Sequence, residues 1–318
     1  MTLPAALRDG IEQLVAGADR RRVEQAAQRL SEAYRAGGPP AARAARTADD
    51  VAAYLATRAP ATYAAVAEVF RQICLARPDW EPASVLDLGA GPGIAAWAAV
   101  ETWPGIDRVT LVEAESEMVR AGRVLADSGR EALREASWTV ADVGAATAHA
   151  DLVVASYVVG ELGPKALDGF VRHAWARTSD TLVIVEPGTT TGYERVLAVR
   201  AAVIAAGGST LAPCPHDTPC PLPEGDWCHF ATRLPRSRTH RIAKGAARGF
   251  EDEKFAYAVL CRSPHPLPEA RVIRRPDPRP GHVVLDLCTA DGLERRTVSK
   301  RDGADYRTAR KVAWGETL

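Results

Sequence analysis

The sequence predicts an α/β fold. Its parallel sheet of short apolar strands alternates with helices, behind a helical front section and ahead of a cysteine-rich segment. Three observations carry this. From Ser84 onward, apolar runs too short for buried helices alternate with amphipathic stretches, the pattern of a parallel sheet with crossover helices. Ahead of Ser84 the apolar residues recur at helical spacing. Beyond Leu211, PCPHDTPCPLPEGDWCHF (Pro213 to Phe230) follows neither period.

In order along the chain, residues 4–36 place Leu14, Val15, Ala26, Leu30 and Ala33 on a helical face, ended by Gly37-Gly38-Pro39-Pro40. Thr47 with Asp49 and Asp50 forms an N-cap ahead of Val51 to Ala56. Ala61 to Leu75 is a further amphipathic helix, on which Cys74 reads as a structural thiol. No chemistry is evident in this front section. VLDLG (Val85 to Gly89) is the first strand and Gly93 to Val100 opens a helix. VTLVE, WTVAD, DLVVAS and TLVIVEPG continue the strands to Gly188, and Tyr193 to Ala206 is a helix. FAYAVLCR (255–262) and HVVLDLC (282–288) are expected as late strands, an antiparallel pair at the sheet edge. The proline- and arginine-rich stretch 263–280 reads as a connector. Three parts are thus expected: a helical section (1–80), a Rossmann-like core (81–212) and a cysteine-rich module (213–318).

With 318 residues, 47% hydrophobic and 25% charged, the composition is that of an ordinary globular protein. There is no apolar run of about 18 residues to span a bilayer. MTLPAALRDGIEQL lacks the layout of a secretory signal, so a cytoplasmic location is expected. In a reducing compartment six cysteines speak for metal or reactive thiols rather than disulfides. The balance of 40 Lys+Arg and 40 Asp+Glu hides an asymmetry: 19 and 14 of them fall in residues 213–318, leaving that third about +5 and the rest about −5. A polyanion-binding surface would lie on the cysteine-bearing part.

DLGAGPG sets Asp87, Gly89, Gly91 and Gly93 at alternating positions between a strand and a helix start. Glycines there allow a tight turn and close backbone approach, with helix N-terminal amides facing a ligand. Glu113 closes the second strand about 20 residues on, where an acid can bind a ribose hydroxyl pair. Asp142 closes the third strand, where it could face an adenine amine. Together these resemble the S-adenosylmethionine (SAM) site of class I (Rossmann-like) methyltransferases; the spacing departs from the G-x-G-x-x-G of nicotinamide enzymes. Catalytic groups are less plain. After the fourth strand the chain has Ser156-Tyr157-Val158-Val159 rather than the Asn/Asp-Pro-Pro-aromatic motif of amino-group methyltransferases, and no cysteine stands at the ends of strands four or five. Ser156, Tyr157 and Glu161 are the candidates at that edge, with Glu186 as a further polar residue.

Cys214-x5-Cys220-x7-Cys228 is neither the C-x2-C of zinc ribbons nor the C-x3-C-x2-C of radical enzymes. By spacing alone zinc and a [4Fe–4S] cluster fit equally, with His216 and His229 as spare ligands. Cys261 and Cys288 compete for a fourth place, both ending strand-like runs.

APCPHDTPCP, DWCHF, RSRTHRIAKG, GFEDEKFAYAVL and ERRTVSKRDGADYRTARKVAWG, with LSEAYR, YLATRAPATYAAV, VLDLGAGPG and VEPGT, closely resemble the Rsm22 family over nearly the whole chain. The resemblance implies association with the small ribosomal subunit and its assembly, and a methyltransferase-like domain. It also implies a [4Fe–4S] cluster, as mitochondrial members bind one, held here by Cys214, Cys220, Cys228 and Cys288, so that the family favours Cys288 over Cys261. Whether members methylate rRNA or act as non-catalytic assembly factors, the resemblance leaves open. Basic residues fit an rRNA partner: Arg233, Arg236, Arg238, Arg241 and Lys244 follow the third cysteine, Lys300 and Arg301 the fourth, with Trp227, His229, Phe230 and Tyr306 for stacking on bases. A monomer off the ribosome is expected, with no membrane partner.

Overall fold

The computed structural model describes residues 2–36, 47–237, 240 and 249–318. Helices α1 (Ala5–Ala16), α2 (Arg20–Ala36), α3 (Ala48–Thr57) and α4 (Ala59–Ala76) come first. At Thr47 the hydroxyl accepts from Asp50 N–H while the Asp50 carboxylate accepts from Thr47 N–H, a capping box that satisfies donors left over at a helix start. Only Arg58 separates α3 from α4, and Pro60 in the first turn of α4 forgoes a donor that the turn does not need.

The alternation follows: β1 (Ser84–Leu88), α5 (Ile94–Thr102), β2 (Arg108–Glu113), α6 (Ser116–Ala126), α7 (Glu131–Arg134), β3 (Ser137–Val140), β4 (Ala150–Ser156), α8 (Pro164–Arg177), β5 (Thr178–Pro187), α9 (Thr190–Ala205) and β6 (Ser209–Ala212). Beyond the cysteine-rich loop come β7 (Phe230–Pro235), β8 (Phe250–Cys261), β9 (Ala270–Val272), β10 (Asp277–Arg279), β11 (His282–Thr289), β12 (Gly292–Ser299) and α10 (Ala304–Ala309).

The main sheet runs β3-β2-β1-β4-β5-β8-β6, with β7 also on β8. Strands β1 to β5 pair in parallel, and β8 runs antiparallel to β5, β6 and β7. Successive strand residues bury on opposite sides. Val85, Leu111, Leu152, Val183 and Val259 face the helices α1 and α3 to α6; Leu86, Val112, Val153, Leu182 and Leu260 face α8 and α9. Burial on both faces is why these strands read as continuous apolar runs.

The C-terminal strands correct the sequence reading. FAYAVLC is an interior strand, not an edge strand, because Ala256, Ala258 and Leu260 bury on one face and Phe255, Tyr257 and Val259 on the other. HVVLDLC does not pair with it. Strand β11 buries Val283, Leu285 and Leu287 on one face only and belongs to a second sheet, β10-β11-β12 with β9 on β11, covered by Tyr306 and Ala309 of α10. The stretch expected as a connector supplies β9 and β10. Since β8 completes the main sheet from beyond residue 213, a boundary at 212/213 does not divide two folding units.

At Gly122 on α6 a Cβ would overlap the Trp138 ring and stand 3.1 Å from the Pro92 carbonyl carbon. Gly122→Ala should therefore cost about 1–3 kcal/mol through overpacking, read as a lower denaturant midpoint; an unchanged midpoint would mean the ring has room to move.

Candidate functional site

The glycine-rich turn forms at the carboxyl end of β1. Gly89, Gly91 and Gly93 all have positive φ (70°, 54° and 80°), a region where other L-residues are strained. The turn is tied to β2 through Gly89 N–H and Ala90 N–H, both donating to Val112 O (2.9 and 3.1 Å). The Glu113 carboxylate is engaged by the turn itself, accepting from Gly91 N–H at 2.7 Å and Glu115 N–H at 2.9 Å. Those bonds use two of its roughly four acceptor positions. Burial raises its pKa, with the Glu115 charge adding to the rise, and the backbone amides of Glu115, Gly91 and Ala114 oppose it. Asp87 is fully buried under α5, with Oδ2 accepting from Ala96 N–H at 3.2 Å. Burial lifts its pKa to about 7, against the pull of that amide and with the Glu113 charge adding to the rise. Its Oδ1 has no hydrogen-bond partner among the described residues, leaving an acceptor that a cationic ligand group would suit. Asp142 lies two residues past β3 and is exposed.

The front section reaches this site, which its sequence did not signal. A Cβ on Gly91 would stand 3.8 Å from the Tyr54 hydroxyl of α3. Arg58 donates to Glu253 Oε1 of β8 at 3.4 Å, and Tyr157 O–H donates to the same oxygen at 3.0 Å. Tyr157 is the one non-glycine residue with positive φ (59°) among those described, and such strain collects at functional positions. Ser156 ends β4, half-buried, and Glu161 lies in the turn Val159–Glu161. Glu186 at the end of β5 is buried. It accepts from Val159 N–H at 3.0 Å, with Arg195 3.8 Å away, and burial lifts its pKa to about 7 although Arg195 and the backbone amides oppose it. Glu186 thus holds the loop carrying the other candidates. Glu253 lay hidden in the charged run EDEK, which reads as surface.

Cys214, Cys220, Cys228 and Cys288 line one small cavity between α9, the cysteine loop and the second sheet. Cys261 is elsewhere, on β8 beside Thr181 (3.5 Å) and Arg77 (3.8 Å). Cys288 breaks the rule that even-numbered positions of β11 are half-exposed, because its side faces the cavity. Burial raises the pKa of Cys214, Cys228 and Cys288, the last to about 12, and neighbouring thiols add to the rise. Two buried guanidiniums, those of Arg271 and Arg200, oppose it at Cys214 and Cys288. Arg271 pairs with Cys288 across β9 and β11 and donates to Pro213 O (2.8 Å), Gln72 Oε1 (2.7 Å) and Gly315 O (2.8 Å). Arg200 of α9 donates to Thr210 Oγ1 (3.2 Å), Thr218 O (3.0 Å) and His216 O. Four thiols with two adjacent cations suit a group of net charge about −2 when ligated, the charge of four thiolates on a dication. The donor set therefore fits a thiolate-held metal group. Among the described residues no three His, Cys, Asp or Glu are arranged around a single ion. His229 is packed between Trp227 (5.4 Å, stacked) and Trp314 (5.1 Å, edge-on), away from this role.

The basic residues are placed unevenly. Arg238, Arg241 and Lys244 lie outside the described residues. Arg233 makes two bonds to Asp252 (2.7 and 3.0 Å) and Arg236 two to Glu251 (3.0 and 2.9 Å) across β7 and β8, so neither guanidinium faces only solvent. Lys300 and Arg301 are exposed after β12. The stacking role expected of Phe230 and Tyr306 is corrected: both are buried, in the main core and the second core. Trp227 gives its indole N–H to Gly188 O at 3.1 Å.

Residues 48–318 match the family described as mitochondrial small ribosomal subunit Rsm22. The chain belongs to the Rsm22 family. It is 30% identical over 285 residues to the human ribosome assembly protein METTL17, mitochondrial, a match covering 83% of this chain and 61% of that protein. It is 26% identical over 324 residues to Rsm22-cox11 tandem protein 2, mitochondrial, of Schizosaccharomyces pombe, covering 85% of this chain and 43% of that protein. The chain thus spans about half the length of these relatives. Among solved structures, magnesium protoporphyrin IX methyltransferase from Synechocystis PCC 6803 aligns with a TM-score of 0.42 at 12% identity, over 64% of this chain and 80% of that one. The cytoplasmic expectation is corrected by these relatives, which are named mitochondrial. The N-terminal reading excluded only a secretory layout, and that carries no other address. Among the described residues no helix is long and apolar enough to cross a membrane.

The Asp87 pKa gives a signed expectation. A carboxyl raised from 3.8 to about 7 adds stability below pH 4 that is lost as pH rises through 7. Asp87→Asn removes that dependence, so wild type should lose on the order of 2 kcal/mol relative to the variant between pH 5 and pH 8. Parallel stability–pH curves would refute the buried ionisation.

Proposed function

We propose that this Rsm22 protein serves small-subunit assembly by binding rRNA, with SAM at the glycine-rich turn and a [4Fe–4S] cluster at the four thiols. The observation that carries the reading is the meeting of Cys214, Cys220, Cys228 and Cys288 in one cavity beside Arg200 and Arg271. Three of those cysteines come from a loop without regular structure and the fourth from β11, so a group bound by all of them would fasten the loop to the second sheet. Lys300 and Arg301, just beyond that sheet, would then be presented to RNA phosphates, with Arg233, Arg236, Arg238, Arg241 and Lys244, which follow the loop in sequence, as further candidate contacts. Zinc on the same thiols is the alternative. Gly89, Gly91 and Gly93 would let the backbone approach SAM, with Asp87, Glu113 and Asp142 as its polar partners. Bound there, SAM supplies an electrophilic methyl group, and methyl transfer to rRNA near Ser156, Tyr157 and Glu161 is the activity the fold allows.

A second reading, a non-catalytic assembly factor, is favoured by a specific observation. Tyr157 is committed to Glu253 and Glu186 to Val159, so polar groups at the expected acceptor edge already serve the fold. The experiment that separates the two is rRNA methylation mapping in a strain lacking the gene, complemented by wild type or Gly91→Arg. Loss of one methyl mark with Gly91→Arg supports transfer; restored assembly with no change in marks supports the factor.

Two outcomes test the sites directly. Gly91→Arg should abolish SAM binding in calorimetry, since a side chain at φ 54° strains the turn and a long one fills the space in front of it; unchanged binding would move the pocket elsewhere. Anaerobically purified protein should be brown, with Cys288→Ser losing iron and Cys261→Ser keeping it. A colourless, zinc-loaded protein would overturn the cluster.

A further inference from the structure

We propose that Tyr193 and His216 set the reduction potential of the thiolate-held cluster by donating hydrogen bonds to the sulfurs of Cys220 and Cys288. This rests on the cluster reading above and adds to it two residues outside the four-thiol set, giving His216 the role of a donor to sulfur instead of the spare ligand its sequence position suggested. Tyr193 stands on α9 with its ring buried, and its hydroxyl donates to Cys220 Sγ at 3.0 Å. His216 is also buried, with Nε2 3.4 Å from Cys288 Sγ. Leu197, Leu222 and Val196 line the same cavity and keep water from competing for the sulfurs.

The other side of the His216 ring explains how it serves a metal-bound sulfur. Nδ1 is 2.9 Å from Thr218 Oγ1 and 3.1 Å from Thr218 O. The carbonyl can only accept and the hydroxyl can donate, so Thr218 suits either tautomer of a neutral ring. Beside a thiol, Nδ1–H can donate to Thr218 O while Nε2 accepts from the Cys288 S–H. A thiolate bound to metal has no proton to give. The ring then carries its proton on Nε2, donates to sulfur, and accepts from the Thr218 hydroxyl at Nδ1. Ligand and histidine are thereby matched without any change in the charge of the ring.

Hydrogen bonds to cluster sulfurs favour the more negative oxidation state, because the added electron density resides partly on sulfur. Removing either donor should therefore lower the potential. Arg200 and Arg271 act in the same sense but also hold backbone carbonyls, which makes them unsuitable probes.

The test uses the full chain, reconstituted anaerobically with iron and sulfide and titrated with dithionite under optical and electron paramagnetic resonance readout. Tyr193→Phe keeps the packed ring and removes only the hydroxyl. His216→Leu removes the nitrogen donor, and His216→Gln restores an N–H at similar reach. The expected result is a roughly tenfold less favourable reduction for Tyr193→Phe and for His216→Leu, about 59 mV more negative for a one-electron couple, with His216→Gln near wild type. Should His216→Leu disturb the loop, Tyr193→Phe carries the test by itself. Variants that load the same iron at an unchanged potential overturn the proposal and leave the cluster standing. Wild type that takes up no iron overturns the cluster reading beneath it.

Discussion

Arg271 is almost fully buried, and its three hydrogen bonds join parts of the chain that are far apart in sequence. It reaches Gln72 on α4, Pro213 at the start of the cysteine loop and Gly315 near the C-terminal end. A buried cation whose bonds go to three separate segments is stable only while those partners stay in place, since losing one leaves donors unsatisfied. The front helices, the cysteine loop and the second sheet are therefore constrained together. Arg200 repeats the arrangement from α9 by gripping the carbonyls of His216 and Thr218. Between them the two guanidiniums give a loop of prolines and polar residues a definite path.

The same constraint shapes the electrostatics. Thiols brought together in a buried cavity resist ionisation, as the raised Cys228 and Cys288 pKa values reflect. The guanidiniums that hold the loop also offset that resistance for Cys214 and Cys288. The interactions that place these thiols thus also lower the cost of ionising two of them. At the opposite site the balance differs. The acids expected to meet a ligand are spent in part on the turn and on the loop after β4, so the carboxyl edge of the sheet owes its shape to groups that elsewhere would be read as catalytic.

Much of this was legible from local pattern. The capping box at Thr47, the two-faced apolar strands and the glycine turn declare themselves within a few residues, because capping, pleating and positive φ are local demands. Family likeness singled out Cys288, and the register of β11 put it on the cavity. Arg271 and Arg200 were overlooked, although a charged residue inside the apolar strand ARV is a signal that it must find buried partners. Glu253 left no such trace.

The sequence by itself determined the α/β core and its glycine turn, since each is written in adjacent residues; it put three thiols in one short segment, while the fourth, Cys288, was named over Cys261 by family resemblance alone. Only the tertiary structure decided that β8 is interior, that β11 belongs to another sheet, and that Arg58, Tyr157 and Glu253 meet across three elements. It also decided that Arg233 and Arg236 have carboxylate partners and that Phe230 and Tyr306 are core residues. Those are matters of which distant segments share a face, and a strand's own pattern states how many faces are buried but not what buries them.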